Sequence, residues 1–391
     1  MNTKQLFQEY VLNTYNRVGP VFVRGKGSWL WDEKGRKYLD LFPGWGVSIL
    51  GHAHPGLAKV ISQQAKTLLH LPNNLIFPQQ AKLAQEIIKQ SFPAKVFFSN
   101  SGAESIEGLV KLSRLYGKVR GRYEIVTMKN SFHGRTFAAL SATGQAKYKE
   151  PFMPILPSFV EAEFNNFGDF ATKVNERTVG VLMELVQGEG GINIALPEYV
   201  KQVKAFCEEK QLLFMVDEVQ TCMGRTGKMF AFQHYGVTPD IMAISKGLGA
   251  GVPIGAIVAG PKVYDLIKPG MHASTFGGNP LVTAAGLEVF RIIKKEKLPA
   301  NVKKSAAYLV KRLVAMQKRF PLIKEVRGVG IMIGVELDRE SFPVFLKALE
   351  NGLIINSTHV NVLRIMPALN ASAKELELGM DILEETLNSK P

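Results

Sequence analysis

From about Lys95 onward, short apolar runs alternate with longer stretches whose apolar residues recur at helical spacing. The runs Lys95–Ser99, Tyr123–Met128, Gly180–Val186, Leu212–Asp217, Asp240–Ser245 and Ile254–Gly260 predict strands. Several are apolar at nearly every position, the pattern of a parallel sheet covered by helices on both faces. Ala103–Tyr116 and Glu198–Lys210 predict helices between strands, which is βαβ order. The C-terminal part changes character, with a helix near Pro299–Arg319, strands near Gly330–Leu337, Gly352–Asn356 and Val362–Ile365, and a last helix from Ala373. This order predicts a large α/β domain over residues 56–295 and a smaller α+β domain over 296–391, with residues 1–55 folding back onto the smaller one.

Composition narrows the class. At roughly 150 residues per domain, a chain of 391 fits two or three domains. Hydrophobic residues make up 46% and charged residues 21%, enough apolar surface to build a core and exclude a disordered chain. The longest apolar run, Val252–Ala259, is broken by Pro and Gly and falls far short of the roughly 20 residues that span a bilayer. The opening Met1-Asn-Thr-Lys-Gln-Leu-Phe lacks the basic-then-apolar order of a signal peptide, so a cytoplasmic location is expected. Cys207 and Cys222 are too few for a disulfide framework. His52 and His54 have no matching ligand cluster, so they are read as turn and packing residues and no metal is expected.

The formal charge is +14, and +10 of it lies between Arg291 and Arg327. Helical spacing puts Lys303, Lys304, Lys311, Arg312, Lys318 and Arg319 on one side, opposite Val302, Ala306, Leu309, Val310 and Leu313. A solvated helix face accounts for this, and a docking surface for an acidic partner is the alternative. No zinc-finger spacing or aromatic–basic motif points to nucleic acid.

Three segments carry candidate chemistry. In Asp240-Ile-Met-Ala-Ile-Ser-Lys246-Gly-Leu-Gly an apolar strand delivers a lysine into a glycine-rich turn. An amine in such a setting can lose its proton and act as a nucleophile, although a surface lysine would look similar locally. In Leu212-Leu-Phe-Met-Val-Asp217-Glu218-Val-Gln220 a carboxylate ends a strand, at the sheet edge where open α/β folds bind ligands. Asp217 could hold a proton on a ring nitrogen, or merely cap a helix. In Phe97-Phe-Ser99-Asn100-Ser101-Gly102-Ala103-Glu104 a small-residue turn leaves free N–H groups at a helix start, an anion site of the phosphate-binding sort. Ser101 and Glu104 also fit a capping box. A phosphate cup, a counter-ion for a ring nitrogen and an amine for a carbonyl are together the inventory for pyridoxal 5′-phosphate.

The chain resembles the class III (ω-) aminotransferases of fold type I over nearly its whole length. The resemblance runs through Tyr15-Asn-Arg, Gly51-His-Ala-His-Pro55, Asn100-Ser-Gly-Ala-Glu, Phe132-His-Gly-Arg-Thr136, Gln187-Gly-Glu-Gly-Gly191, Asp217-Glu-Val-Gln220, Ser245-Lys-Gly, Ser274-Thr-Phe-Gly-Gly-Asn-Pro and Arg364-Ile-Met-Pro. It implies a mainly parallel seven-stranded sheet in the large domain and a homodimer with sites at the subunit interface. It also implies roles. Lys246 would carry the cofactor and move the reacting proton, with Asp217 on the ring nitrogen and Gln220 on the phenolic oxygen. Phe132 would stack on the ring, Gly102 and Ala103 would bind the phosphate, and Thr275 would reach the phosphate of the neighbouring subunit. Arg135 and Arg364 would bind the two carboxylates of glutamate, with Glu189 pairing with Arg364 when an ω-amine is present. Tyr15, Asn16 and Ser274 belong to elements that contact substrate.

Some positions depart from the family pattern. Leu185 stands where proline is common and Cys222 where glycine is common, and neither change removes a catalytic atom. Trp45 replaces a smaller residue or Tyr, and would either narrow the donor side of the pocket or act as a buried anchor at the domain junction. His133 is not read as an acid or base. The resemblance implies transfer of a terminal amino group to 2-oxoglutarate, with N2-acetylornithine as the favoured donor and arginine biosynthesis as the setting. Ornithine, 4-aminobutyrate, a succinylated diamine or a carrier-bound lysine-pathway intermediate are alternative donors. Small-molecule substrates are the expected partners, with no nucleic acid and no membrane.

Overall fold

The structure, a computed structural model, describes residues 1–388. Its centre is a seven-stranded sheet in the order Lys95–Ser99, Gly255–Ala259, Ile241–Ile244, Leu213–Asp217, Thr178–Glu184, Glu124–Met128, Phe159–Ala162. Neighbours are parallel except at Gly255–Ala259, which runs against both strands beside it. The six strands read from the sequence are all present. The Gly180–Val186 expectation is displaced: the strand starts at Thr178 and ends at Glu184, and Val186–Gln187 turns into a short hairpin with Asn193–Ile194. The edge strand Phe159–Ala162 escaped the sequence reading because it is only partly buried and lacks a continuous apolar run.

The continuous apolar runs resolve into two cores by simple alternation. Ile125, Leu182, Leu213, Met215, Ile241, Ala243 and Ile257 face the cluster under the Gly102–Gly117 helix. Their neighbours Val126, Val181, Phe214, Val216, Met242, Ile244 and Val258 face a larger cluster on the other side. Successive side chains point to opposite faces of a sheet, so a strand apolar at every position needs cover on both.

The larger cluster also contains Leu39 and Leu41 near the N-terminus and Leu363, Leu376 and Met380 near the C-terminus. Strand Leu353–Ile354 pairs parallel with Lys37–Asp40, tying these two ends of the chain. A separate antiparallel sheet has the order Ile323–Val329, Met332–Leu337, Val362–Ile365, Asn356–Thr358. The long helix Leu298–Arg319 buries Val302, Leu309 and Leu313, as its spacing predicts. Val310, expected on that side, is instead exposed. It lies beside the edge of the apolar stripe, where Arg312 turns inward to Asp381 at 2.7 Å and Glu384 at 3.1 Å on the last helix. Part of the basic run is therefore neutralised within the chain. No helix among the described residues is long and apolar enough to cross a membrane.

Phe214 is fully enclosed in the central strand, whereas Val119 is almost fully exposed. Phe214→Ala is expected to cost about 3–5 kcal/mol and Val119→Ala less than about 0.5 kcal/mol, read as urea midpoints at fixed protein concentration.

Candidate active site

Five parallel strands and the start of the reversed one deliver their ends to a single edge of the sheet. A cavity of ≈ 470 Å³ opens there, lined among others by Gly102, Ala103, Phe132, Asp217, Gln220 and Lys246. Each comes from just beyond a strand's carboxyl end: Ser99 leads to Gly102, Met128 to Phe132, Asp217 to Gln220, and Ile244 to Lys246. The reversed strand contributes Val252, Pro253 and Ile254 from its amino end. The fold thus brings together residues more than 100 positions apart.

The Gly102–Gly117 helix begins at the cavity. Ser101 caps it by accepting from Glu104 N–H at 3.2 Å. The return half of the expected capping box is not made: the Glu104 carboxylate accepts instead from the backbone and side-chain nitrogens of Asn100, at 2.7 and 2.9 Å. Among the described residues the N–H groups of Gly102 and Ala103 have no hydrogen-bond partner. At the positive end of a helix dipole, such free donors suit an anion. A Cβ at Gly102 would lie 2.7 Å from Val219 Cγ1, so only glycine fits between helix start and the Asp217 loop.

Asp217 is buried, with Val219 N–H donating to Oδ1 at 2.9 Å and His133 Nδ1 lying 2.8 Å from Oδ2. An ionised carboxylate can only accept, so His133 carries its proton on Nδ1 and holds Asp217 in orientation. His133 is itself fixed by its backbone N–H donating to Thr143 Oγ1 at 2.9 Å. The next residue, Glu218, points the opposite way, into the core, where it accepts from Thr221 and from the N–H groups of Ala231 and Phe232. Burial pushes Glu218 up to about 7.

Glu184 ends its strand as Asp217 does and lines the same cavity. Its oxygens accept from Phe132 N–H at 2.9 Å and Gly188 N–H at 3.2 Å. Burial pushes it up to about 7 against the pull of His133. Lys246 is half-buried, with a left-handed φ of 42°. Burial lowers its pKa, partly offset by Glu189 and Asp217. A desolvated amine that gives up its proton more easily is a better nucleophile.

Arg364 lies behind the cavity, fully enclosed. Its Nη1 is 2.7 Å from Glu189 Oε1 and 3.2 Å from Gln220 Oε1, and its guanidinium sits 4.7 Å over the Phe42 ring. Burial alone would raise the Glu189 carboxyl, but Arg364 reverses this and holds it below the ordinary range. Gly188 makes room for the arrangement, because a Cβ there would meet Gln220 Oε1 at 1.9 Å. Arg135 lies at the exposed side of the cavity, 4.1 Å from the Tyr148 ring centroid and 5.5 Å from that of Phe132, with no carboxylate partner among the described residues.

Other residues singled out in the sequence stand outside this cavity. Thr275 is exposed, and Ser274 Oγ accepts from Gly277 N–H at 2.9 Å and Asn100 Nδ2 at 3.2 Å. Tyr15 and Asn16 line a separate depression formed by the N-terminal segment. Tyr15 nevertheless meets Trp45 at 6.5 Å, and Trp45 meets Phe42 at 6.4 Å, an aromatic chain leading to Arg364. Trp45 is 49% exposed, which corrects the alternative of a buried anchor. His52 holds Asp40 at 2.8 Å and His54 lies 3.3 Å from Glu296.

Sequence reasoning missed Glu184 and undervalued His133. The first carried the signal that exposed Asp217, a carboxylate closing an apolar strand. The second depends on a contact across 84 positions and had no local signal.

These residues fit pyridoxal 5′-phosphate: unpartnered N–H donors suit its phosphate, and a buried carboxylate and a half-buried amine face the same space. The family model for class-III aminotransferases matches residues 12–387. The acetylornithine aminotransferase of Caldanaerobacter subterraneus is 47% identical over 385 residues, covering 97% of this chain and 98% of that protein. That of Aquifex aeolicus is 42% identical, covering 97% and 100%. The ornithine aminotransferase structure from Toxoplasma gondii superposes with a TM-score of 0.94 at 30% identity, covering 98% of this chain and 93% of that one. The acetylornithine aminotransferase structure from Elizabethkingia anophelis gives 0.87 at 28% identity, covering 98% and 97%. The chain belongs to the class-III aminotransferases, enzymes that move amino groups with pyridoxal 5′-phosphate.

Proposed function

We propose that this enzyme moves the terminal amino group of N2-acetylornithine to 2-oxoglutarate, giving the semialdehyde and glutamate. The single observation that carries an ω-amine reading is the closed Glu189–Arg364 pair beside the cavity. The acetylornithine aminotransferases among its relatives, at 47% and 42% identity, support the donor.

Pyridoxal 5′-phosphate, when bound, supplies an aldehyde for the amino group and a ring that withdraws electrons from the reacting carbon. Lys246 Nζ would hold it between turnovers and would move the proton at the substrate carbon. Asp217, kept in orientation by His133, holds the proton on the ring nitrogen. The N–H groups of Gly102 and Ala103 would bind the phosphate, Phe132 would stack on the ring, and the Gln220 amide, its oxygen engaged by Arg364, would donate to the phenolic oxygen. Thr275, exposed and outside its own chain's cavity, is free to serve the phosphate of a second copy, which supports a homodimer as the working unit.

Specificity follows from charge. Glutamate and 2-oxoglutarate carry two carboxylates, one for Arg135 and one for Arg364, and the second displaces Glu189. An ω-amine brings no carboxylate beside the ring, so Glu189 stays on Arg364 and the enclosed guanidinium remains compensated. The α-carboxylate of acetylornithine is left for Arg135.

Lys246→Ala should cut turnover on the order of 10²–10⁴-fold, and borohydride should fix the cofactor to Lys246 in the unmodified enzyme. Attachment at another lysine, located by peptide mass, would overturn the assignment. Asp217→Asn keeps the shape and removes the charge. A kcat loss on the order of 10²–10³-fold is expected, and a near-normal variant would contradict this placement of the ring nitrogen.

Glu189→Ala leaves Arg364 without its anion. Removing one partner of a buried charge pair costs about 2–5 kcal/mol, roughly 30-fold to a few thousand-fold in rate. The ω-amine half-reaction should fall by this order while the glutamate half-reaction holds or improves. Single-turnover rates for each half separate these outcomes, and equal losses in both would mean that Glu189 is only structural.

A further inference from the structure

If Glu189 leaves Arg364 when a dicarboxylate enters, another group must keep the guanidinium aimed at the cavity. The Asn356–Thr358 edge strand supplies it. Asn356 stands directly opposite Arg364 in the antiparallel register. Its Oδ1 accepts from both Nε at 3.1 Å and Nη2 at 2.8 Å. A guanidinium has five N–H donors, and this contact occupies its Nε side while leaving the Nη1–Nη2 edge for an anion. Glu189 takes Nη1 in the closed state, and Gln220 Oε1 accepts from the same nitrogen at 3.2 Å.

The chemistry of the acceptor matters. The Asn356 amide oxygen orients Arg364 without neutralising it, so the positive charge remains available for Glu189 and an incoming carboxylate to compete over. A carboxylate at this position would orient the guanidinium equally well and end the competition.

The backbone of the Glu189 loop is also pinned. Gly188 N–H donates to Glu184, and Thr358 Oγ1 donates to Glu189 O at 3.0 Å. Asn193 Nδ2 donates to Gly190 O at 2.9 Å, and Arg327 Nη2 to Gly191 O at 2.7 Å. With the backbone held on both sides of Glu189, release of Arg364 falls to the Glu189 side chain, and Asn356 and Gln220 are the acceptors that stay on the guanidinium. We propose that Asn356 is a specificity-determining positioning residue, a neutral clamp that holds Arg364 through both states and keeps its charge open to substrate dicarboxylates. This rests on the reading of Glu189 as the movable partner.

The test uses holoenzyme and single-turnover measurements of each half-reaction, with melting temperature as a folding control. Asn356→Leu removes both hydrogen bonds to the guanidinium. It should raise the half-saturation concentration for glutamate and 2-oxoglutarate roughly tenfold to a hundredfold, with a change below about threefold for acetylornithine. Asn356→Asp should weaken the dicarboxylate side likewise. In a Glu189→Ala background it should also restore the acetylornithine half-reaction, because Arg364 is neutralised again. A merely structural role for Asn356 predicts no such rescue. Equal losses in both half-reactions for Asn356→Leu, no loss in either, or failure of the Asp rescue would overturn the proposal. Should Asn356→Leu fail to fold, the rescue decides alone. Glu189→Ala by itself separates the two ideas: if it affects both halves equally, the switch reading falls and this inference with it. If it splits them while the Asn356 variants do not, only the role of Asn356 falls.

Discussion

A guanidinium removed from solvent keeps its charge at neutral pH, so some group in the protein has to face it. Arg364 is fully enclosed, and four of its hydrogen bonds or ion contacts reach three separate parts of the chain: Glu189, Gln220 and Asn356. Gln220 follows the central strand that ends at Asp217, and Glu189 follows the strand that ends at Glu184. Asn356 and Arg364 belong to the small antiparallel sheet. The compensation of one buried charge therefore fixes how the small sheet meets the large one, and the cavity lies at that junction.

The same edge of the large sheet gathers Asp217 and Glu184 with Lys246. Burial acts on them in opposite directions, raising Glu184 and lowering Lys246, because it disfavours whichever form is charged. A site built this way holds an amine that can be neutral beside a carboxylate held in place by His133 and Val219. Proton transfer at a substrate carbon needs that combination near neutral pH. The fold achieves it by geometry: parallel strands end together, and their ends bring side chains from distant segments to one edge.

What could be read from the sequence followed from how completely each segment is buried. The central strands are covered on both faces, so their composition alone marks them, and Lys246 and Asp217 stand out as charges closing apolar runs. The edge strands Phe159–Ala162, Ile323–Val329 and Asn356–Thr358 could not be read in this way. Ile323–Val329 carries Lys, Glu and Arg, and Asn356–Thr358 is wholly polar, since one side of each strand has no neighbour to demand apolar residues. Asn356 therefore gave no signal, although it holds Arg364. His133 was seen only as the neighbour of Phe132, because its partner lies 84 positions away and the contact exists only after the strands pair. The motif positions of Arg135, Glu189 and Arg364 were legible through family resemblance, while the clamp around them was legible only in three dimensions.

A second arginine shows how special the arrangement at Arg364 is. Arg225 is equally enclosed, and its Nη1 donates to Pro367 O, but its Nε and Nη2 find no acceptor among the described residues. Burial without a facing carboxylate pulls it down to about 10. Even so lowered, it stays protonated at neutral pH, and its immobile carbonyl partner gives it no means to exchange one anion for another. Arg364 differs in facing one acidic partner, Glu189, and two neutral ones, Asn356 and Gln220. Burial makes the charge expensive to leave alone, the Glu189 carboxylate compensates it, and the Asn356 amide fixes its orientation; in the switch proposed above a substrate carboxylate takes the place of Glu189. Selectivity between mono- and dicarboxylate substrates requires all three, and the Arg225 environment, with only the first, can serve packing but not choice.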